Sequence, residues 1–305
     1  MPVLDGKHIV VTGAGRGLGR AYALDAARHG AAVVVNDIDE EACAAVAGEI
    51  RESGGKAVPF AGSVADWQLA GALIALCVRE FGRIDGLVAN AGLYYATPPW
   101  EDTEERIRRV IEVNLAGAIF CNVHALQAMV EQRSGAIVNI SSGSQAGMAN
   151  IATYGATKGA LASYTYSAAL DCRSYNVRVN AVSPLASTRM GAAPRGALSD
   201  TVADDPAVRD SIRERGQAMG RPEDIAPLVT FLLSDLAAGI TGQVVRLQDG
   251  RLSLFAHPAV MPSHESARGW TPETIAAAFE RSLAKQLNPV AFGEGRYIGP
   301  GEPRP

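Results

Sequence analysis

Short apolar runs alternate with longer stretches of helical periodicity from the start of the chain to about residue 248. The runs are HIVVTG, AAVVVND, KAVPFAG, GLVANAG, AIVNISS, VRVNAVSP and QVVRLQ, all rich in Val and Ile. Between them lie RAYALDAARHG, DEEACAAVAGEIRESGG, WQLAGALIALCVREFG, EERIRRVIEVNLAGAIFCNVHALQAMVEQ and YGATKGALASYTYSAALDCRS. These are long enough for helices, and several end at Gly, which closes a last turn in the left-handed conformation. Strict alternation predicts a parallel sheet covered on both faces, because right-handed crossovers lay helices above and below it. Strands that are nearly all apolar are those of such a doubly buried sheet. The expectation is an α/β, doubly wound sheet of about seven strands with helices on both faces.

Residues 185–221, LASTRMGAAPRGALSDTVADDPAVRDSIRERGQAMGR, break the rhythm with Gly, Pro and charge. An insertion after a strand, on the side where such sheets bind ligands, reads as a substrate lid. An irregular surface excursion would look the same. Residues 1–250 then form one catalytic domain and 251–305 a C-terminal extension. In the extension, Thr271 and Pro272 predict the N-cap and first residue of one more helix, and IGPGEPRP a flexible tail.

VVTGAGRGLGRAYA follows the first strand and opens the first helix. Gly13, Gly17 and Gly19, with Arg16 and Leu18 between them, let the backbone turn tightly and approach a pyrophosphate at the helix N-terminus. The placement between strand and helix separates this loop from an ordinary glycine turn and makes the expected fold Rossmann-type. Asp37 ends the second strand, where a carboxylate meets the adenosine ribose and repels a phosphate on it. That favours NAD over NADP, although the Arg16 guanidinium would suit the phosphate. Asp37 would serve equally as the N-cap of a helix beginning near Glu40.

With 28 Lys and Arg against 32 Asp and Glu, a net charge of −4 and a pI near 5.8, no chain-wide basic field exists to draw in nucleic acid or an anionic membrane. The N-terminus MPVLDGKHIVVTG has no cationic region ahead of a long apolar one, and no later run holds about 18 uncharged apolar residues. Cys43, Cys77, Cys121 and Cys172 are far apart and read as buried, reduced thiols with no metal between them. A cytoplasmic protein is expected.

In TYGATKG, Tyr154 and Lys158 stand four apart among small residues, just after NISSGSQAG. On a helix this spacing puts both side chains on one face. A free phenol has a pKa of about 10, and an ammonium group within a few ångströms stabilises the phenolate and lowers that value. Small neighbours leave room for a cofactor. An exposed helix face would give the same pair, but a dinucleotide loop upstream and a strand ending in serines argue for a site.

These residues resemble the short-chain dehydrogenase/reductase family over roughly residues 5–250, through TGAGRGLG, ANAG at 89–92, Asn114 in VNLAG, the serines of NISS, and YGATK. The resemblance implies that Tyr154 is the general acid/base, that Lys158 lowers its pKa and holds the nicotinamide ribose, that Ser142 orients the substrate oxygen, and that Asn114 supports a proton-relay water. The family's usual spacing selects Ser141, whereas aligning the strand selects Ser142 with one loop residue deleted; Ser142 is preferred because a loop absorbs a deletion more easily than a buried strand shifts register. By the same resemblance Asn90, Ala91 and Gly92 border the cofactor, Ala89 replaces a sheet-bracing Asn, Ser63 and Val64 stand where an Asp-Val pair meets the adenine, and Thr188 binds the carboxamide. Leu185 replaces the Gly that usually follows Pro184.

SPLASTRM, VVVND and a tail helix beginning TPE are similar to the dehydrogenase region of D-specific peroxisomal multifunctional enzymes and their bacterial relatives. That resemblance implies NAD-dependent oxidation of a 3-hydroxyacyl-CoA-type substrate, with Arg189, Arg195, Arg213, Arg215 and Arg221 near the CoA phosphates. Asp200, Asp204, Asp205, Asp210 and Glu214 in the same segment fit a solvated face equally well. A hydroxysteroid dehydrogenase and an NADPH-dependent ketoreductase are the enzymatic alternatives, and a nucleotide-sensing binding protein the non-enzymatic one. The family habit also implies a homodimer or homotetramer, and the only other partner expected is a small secondary alcohol or ketone.

Overall fold

The computed structural model describes residues 2–185, 220–248, 250–259 and 270–281. Two compact units divide the chain, Met1–Phe255 and Ala256–Pro305.

The first unit is built on one eight-stranded sheet of order β3-β2-β1-β4-β5-β6-β7-β8. Its strands are β1 (His8–Val11), β2 (Ala32–Asp37), β3 (Lys56–Ala61), β4 (Gly86–Ala89), β5 (Gly135–Ile140), β6 (Val177–Pro184), β7 (Val244–Gln248) and β8 (Arg251–Leu254). The seven apolar runs supply β1–β7, all parallel, with registers such as Ile9↔Val33, Ile9↔Gly86 and Val138↔Asn180. β8 pairs antiparallel with β7, Val245 facing Leu254. The count is therefore eight rather than about seven. RLSL lies at the sheet's edge with all four residues exposed, so it lacks the apolar signature of a covered strand.

Alternate residues of each strand feed opposite faces. Ile9, Val11, Val33 and Val35 pack with α1 (Gly17–Arg28), α2 (Glu40–Glu52) and α7 (Pro222–Leu233), whose buried members include Tyr22, Ile50 and Leu232. Val10, Val34, Leu87 and Ile137 pack on the other side with α3 (Trp67–Phe81), α5 (Ala118–Gln132) and the far end of α6 (Ala152–Asp171). Side-chain caps set several helix starts: Asp39 accepts from Ala42 N on α2, Asp66 from Gln68 N and Leu69 N on α3, and Thr103 from Arg106 N on α4 (Glu104–Ile111).

The long helical segment after β4 is interrupted. Between α4 and α5, residues Glu112–Gly117 form a π turn that carries Asn114. Run together, Glu104–Gln132 contains an 18-residue window of mean hydropathy 1.4 and so matches a membrane span by length and composition alone, which the sequence reading did not anticipate. Its contacts are those of a domain helix, α5 lying on α3, β4 and β5 with Cys121, Ala125 and Met129 buried.

Strand order reverses between β1 and β4, which opens a crevice at the carboxyl ends of the strands where α/β sheets hold ligands. In the second unit, α8 (Pro272–Arg281) begins where Thr271 and Pro272 predict, with Thr274 N donating to Thr271 Oγ1 at 3.3 Å.

Candidate active site

β1 delivers the chain to the crevice, and the residues after it build a cradle from main chain. Gly13 and Gly17 sit at φ 62° and 56°, a region that a side chain disfavours. A Cβ on Gly13 would lie 2.8 Å from Ala91 Cα, and one on Gly19 would run into the Gly13 carbonyl and stand 2.6 Å from Asn90 Nδ2. Asn90 locks the end of β4 to this loop, its Nδ2 donating to Thr12 O at 2.9 Å and Gly13 O at 3.1 Å. Thr12 Oγ1 accepts from the main-chain N–H of both Asn90, at 3.0 Å, and Ala91, at 3.1 Å. Thr12 stands inside TGAGRGLG, and sequence reading passed over it because its role is to hold main chain from another strand.

α1 differs from α2, α3 and α4 at its start. Its N-cap residue, Arg16, makes no side-chain cap and its first turn holds no acid. The opening N–H groups, at Gly17 and Leu18 among others, therefore face the crevice with the positive end of the helix dipole. Asp37 Oδ2 accepts from Gly15 N at 3.0 Å, which holds its carboxylate beside the loop. The Arg16 guanidinium pairs with Asp39. Asp39, not Asp37, is the N-cap of α2, because Asp37 is still in the strand and turned to Gly15. Ser63 Oγ accepts from Ala65 N at 3.2 Å, and Val64 is buried against Gly117. An uncapped helix start, glycines with no space for a Cβ, and one carboxylate at the second strand's end fit a dinucleotide.

The second half of the site comes from β5, α6 and the segment after β4. Tyr154 and Lys158 lie on one face of α6, with Lys158 Nζ 5.6 Å from the centre of the Tyr154 ring. Lys158 is 3% exposed and donates from Nζ to Ile140 O at 2.7 Å, at the end of β5. Ser142 follows β5, accepts from Ser144 N at 3.2 Å, and acts on the Tyr154 phenol, favouring its ionised form. Ser141 turns away and donates to Lys158 O at 3.0 Å. The segment after Gly92 adds Tyr94, whose ring stands edge-on to Tyr154 with centroids 5.2 Å apart. Sequence reading missed Tyr94, which sits in a stretch without periodicity.

Asn114 is fully buried in the π turn and fixed at both ends of its amide, Oδ1 accepting from Leu93 N at 2.6 Å and Nδ2 donating to Leu93 O at 2.8 Å. Its side chain thus ties the start of the Tyr94 segment to α4 and α5. Thr188, Arg189, Arg195, Arg213 and Arg215 lie outside the described residues. Arg221 is described, and pairs with Asp224 at 3.1 Å.

The expected lowering of the phenol by Lys158 does not appear in the protein alone. Burial pushes Tyr154 up to about 12, the Ser142 hydrogen bond opposes this, and Tyr94 adds to it. Burial pushes Lys158 down to about 8. The physical reason is shared: poor solvation disfavours phenolate and ammonium alike, and here it outweighs their attraction. The pair is adjacent and hydrogen-bonded in place, and each member is held in its neutral form more readily than in water.

The sequence matches the short chain dehydrogenase family over residues 7–195. It is 38% identical over 243 residues to the cis-4-hydroxycyclohexanecarboxylate dehydrogenase of Sinomonas cyclohexanicum, covering 79% of this chain and 94% of that one. Among solved structures, a short chain dehydrogenase from Mycobacterium avium superposes with a TM-score of 0.81 at 32% identity, over 96% of this chain and all of that one. An NAD+-bound xylitol dehydrogenase gives 0.74 at 32%, over 81% of this chain and 99% of the other.

Proposed function

The chain belongs to the short-chain dehydrogenase family, and on that premise we propose that it oxidises a compact, ring-bearing secondary alcohol to the ketone with NAD. That it is an oxidoreductase of CH–OH groups follows from the family. The observation that carries the mechanism is one phenol, Tyr154, flanked by the Ser142 hydroxyl and the buried Lys158 ammonium at the mouth of the crevice.

Tyr154, acting as the phenolate, takes the substrate's hydroxyl proton, and Ser142 donates to the same oxygen and aims it at the phenolate. A nicotinamide cofactor held by these residues would supply the hydride acceptor for the carbinol carbon. The Lys158 ammonium stabilises the phenolate form of Tyr154 that accepts this proton and keeps its ring oriented. Asn114 holds the Leu93 end of the segment that presents Tyr94, and the relay role implied by the family adds a proton path behind Lys158. The amides of the Gly13–Gly19 loop would hold the pyrophosphate and Asp37 the adenosine ribose. With Arg16 engaged by Asp39, the nearby cation is already neutralised, and this favours NAD over NADP.

Two facts support a ring alcohol. The Tyr94 ring walls the phenol with a flat aromatic edge, and the Sinomonas relative acts on a hydroxylated cyclohexane. A 3-hydroxyacyl-CoA-type substrate is the second reading, resting on SPLASTRM. It ranks lower because Arg221, the one described member of its cation set, is already paired with Asp224.

The test is NADH formation with cyclohexanol, 4-hydroxycyclohexanecarboxylate, xylitol, a 3-hydroxyacyl-CoA and a hydroxysteroid. The ring alcohols should lead by about tenfold in kcat/KM, a difference of the size that pocket fit supplies. A leading hydroxyacyl-CoA would reverse the ranking, and activity with NADP alone would overturn the role given to Asp37.

The reading extends to a cytosolic homodimer or homotetramer. Four buried cysteines without a disulfide support the compartment. Exposed Trp67, Leu69 and Ile111 on α3 and α4 support self-association. Light scattering that returned only monomer would remove the second point.

A further inference from the structure

β5 ends in two adjacent serines that face different partners. Ser142 meets Tyr154. Ser141 is 1% exposed, and its hydroxyl lies 3.0 Å from the Lys158 main-chain oxygen and 3.2 Å from the Gln145 side-chain amide. A serine hydroxyl has one proton, and the Lys158 carbonyl can only accept, so the proton goes there. Gln145 must then donate, which means its amide turns its nitrogen to Ser141. That orientation gives a partner to a buried amide nitrogen that otherwise has none. The chain of bonds runs from Gln145 through Ser141 to Lys158.

Lys158 is therefore gripped twice from consecutive residues of one strand end. Ile140 O receives its ammonium at 2.7 Å, and Ser141 holds its main chain. We propose that Ser141, braced by Gln145, is a positioning residue that sets where the Lys158 ammonium stands relative to Tyr154, while Ser142 serves the substrate. Without the second grip, α6 is free to roll on β5 at this turn, and the lysine head moves with it. The ammonium's pull on the phenolate falls with separation, so a small roll weakens it.

The groups that face this pair are few. Tyr154 shares the helix, Tyr94 approaches from the segment after β4, and Ser142 from the end of β5. Burial lowers the Lys158 pKa, with no carboxylate acting on it among the described residues. Among the described residues no charged neighbour fixes the lysine's position, and its holds there are Ile140 O and Ser141.

The assignment rests on Tyr154 being the acid/base, and its test is chosen to need no substrate. The phenolate absorbance of NAD-saturated protein, minus that of its Tyr154→Phe counterpart, gives the titration of Tyr154. Ser141→Ala should move that titration up by about half a pH unit or more, the scale of losing part of one charge interaction. Gln145→Leu should move it the same way by less, and serves if Ser141→Ala folds poorly. Ser141→Thr, which keeps the hydroxyl, should restore it.

The decisive arm repeats both serine changes in a Lys158→Met background. There Ser141→Ala should have no further effect, whereas Ser142→Ala should still raise the Tyr154 titration. In turnover, Ser141→Ala should lower kcat about tenfold with KM within about twofold. An unshifted titration in both Ser141→Ala and Gln145→Leu, or a Ser141→Ala shift that persists without Lys158, overturns the proposal. Failure of every alcohol to react, with these shifts intact, would instead fall on the substrate reading.

Discussion

Tyr154 and Lys158 each sit where their charged form is disfavoured, and the consequences differ for rate and stability. Replacing Tyr154 by Phe removes the proton acceptor and leaves the glycine loop intact. Turnover should fall by about 10²–10⁴, the range for a general base, with NAD binding retained when followed by fluorescence quenching. Replacing Lys158 by Met removes a buried charge. Because the folded-state pKa of Lys158 is lowered from 10.5 to about 8, the unfolded chain binds more protons at this residue between those values, and the Lys158 contribution to stability should rise with pH across that window. The relative gain is complete above the unfolded value and lost as pH falls through about 8. The unfolding free energy of the wild type minus that of Lys158→Met, followed by denaturant across this pH range, should carry that slope. Most of the site's reactive residues were legible in sequence, since i, i+4 spacing and a strand-end serine pair are local patterns. Thr12 and Tyr94 were not, because each acts on a partner far away in sequence, and Gln145, four residues from Ser141, stands in a loop where spacing carries no signal.

At the scale of elements, helix starts follow side-chain chemistry, as at Asp66 and Thr103. The choice between Asp37 and Asp39 as the α2 cap could not be read, because it depended on where β2 stopped and on Gly15 claiming Asp37. The π turn was equally hidden. It arises where Asn114 reaches the Leu93 main chain, a contact across separate segments. α1 and α7 make a further test of element packing. Thr230 on α7 donates to Asp25 on α1 at 2.6 Å, both nearly fully buried, and Arg28 holds the other oxygen at 2.9 Å. Thr230→Val keeps the shape and strands one carboxylate oxygen, so it should cost about 1–3 kcal/mol in urea unfolding. Thr230→Ser should cost much less, and equal losses in the two would show that shape, not the bond, joins the helices.

Across the whole molecule, the parallel doubly wound sheet was readable from alternation because its central strands, such as β2, β4, β5 and β6, are covered on both faces and therefore apolar. β8 escaped notice for the opposite reason, its residues being at an open edge. The expected lid and its Thr188 fall outside the described residues, so the substrate's far side is read from Tyr94 alone. NAD that binds only the folded state should raise stability by about 2.7 kcal/mol at 100 times its dissociation constant, and NADP at equal concentration by less. Differential scanning fluorimetry measures both, and a larger shift with NADP would reverse the cofactor preference. The bare amides that open α1 carry this into the cell. A protein whose leading helix waits for a nucleotide to complete it will unfold more often when dinucleotide is scarce, so proteases should clear it faster from starved cells than from fed ones.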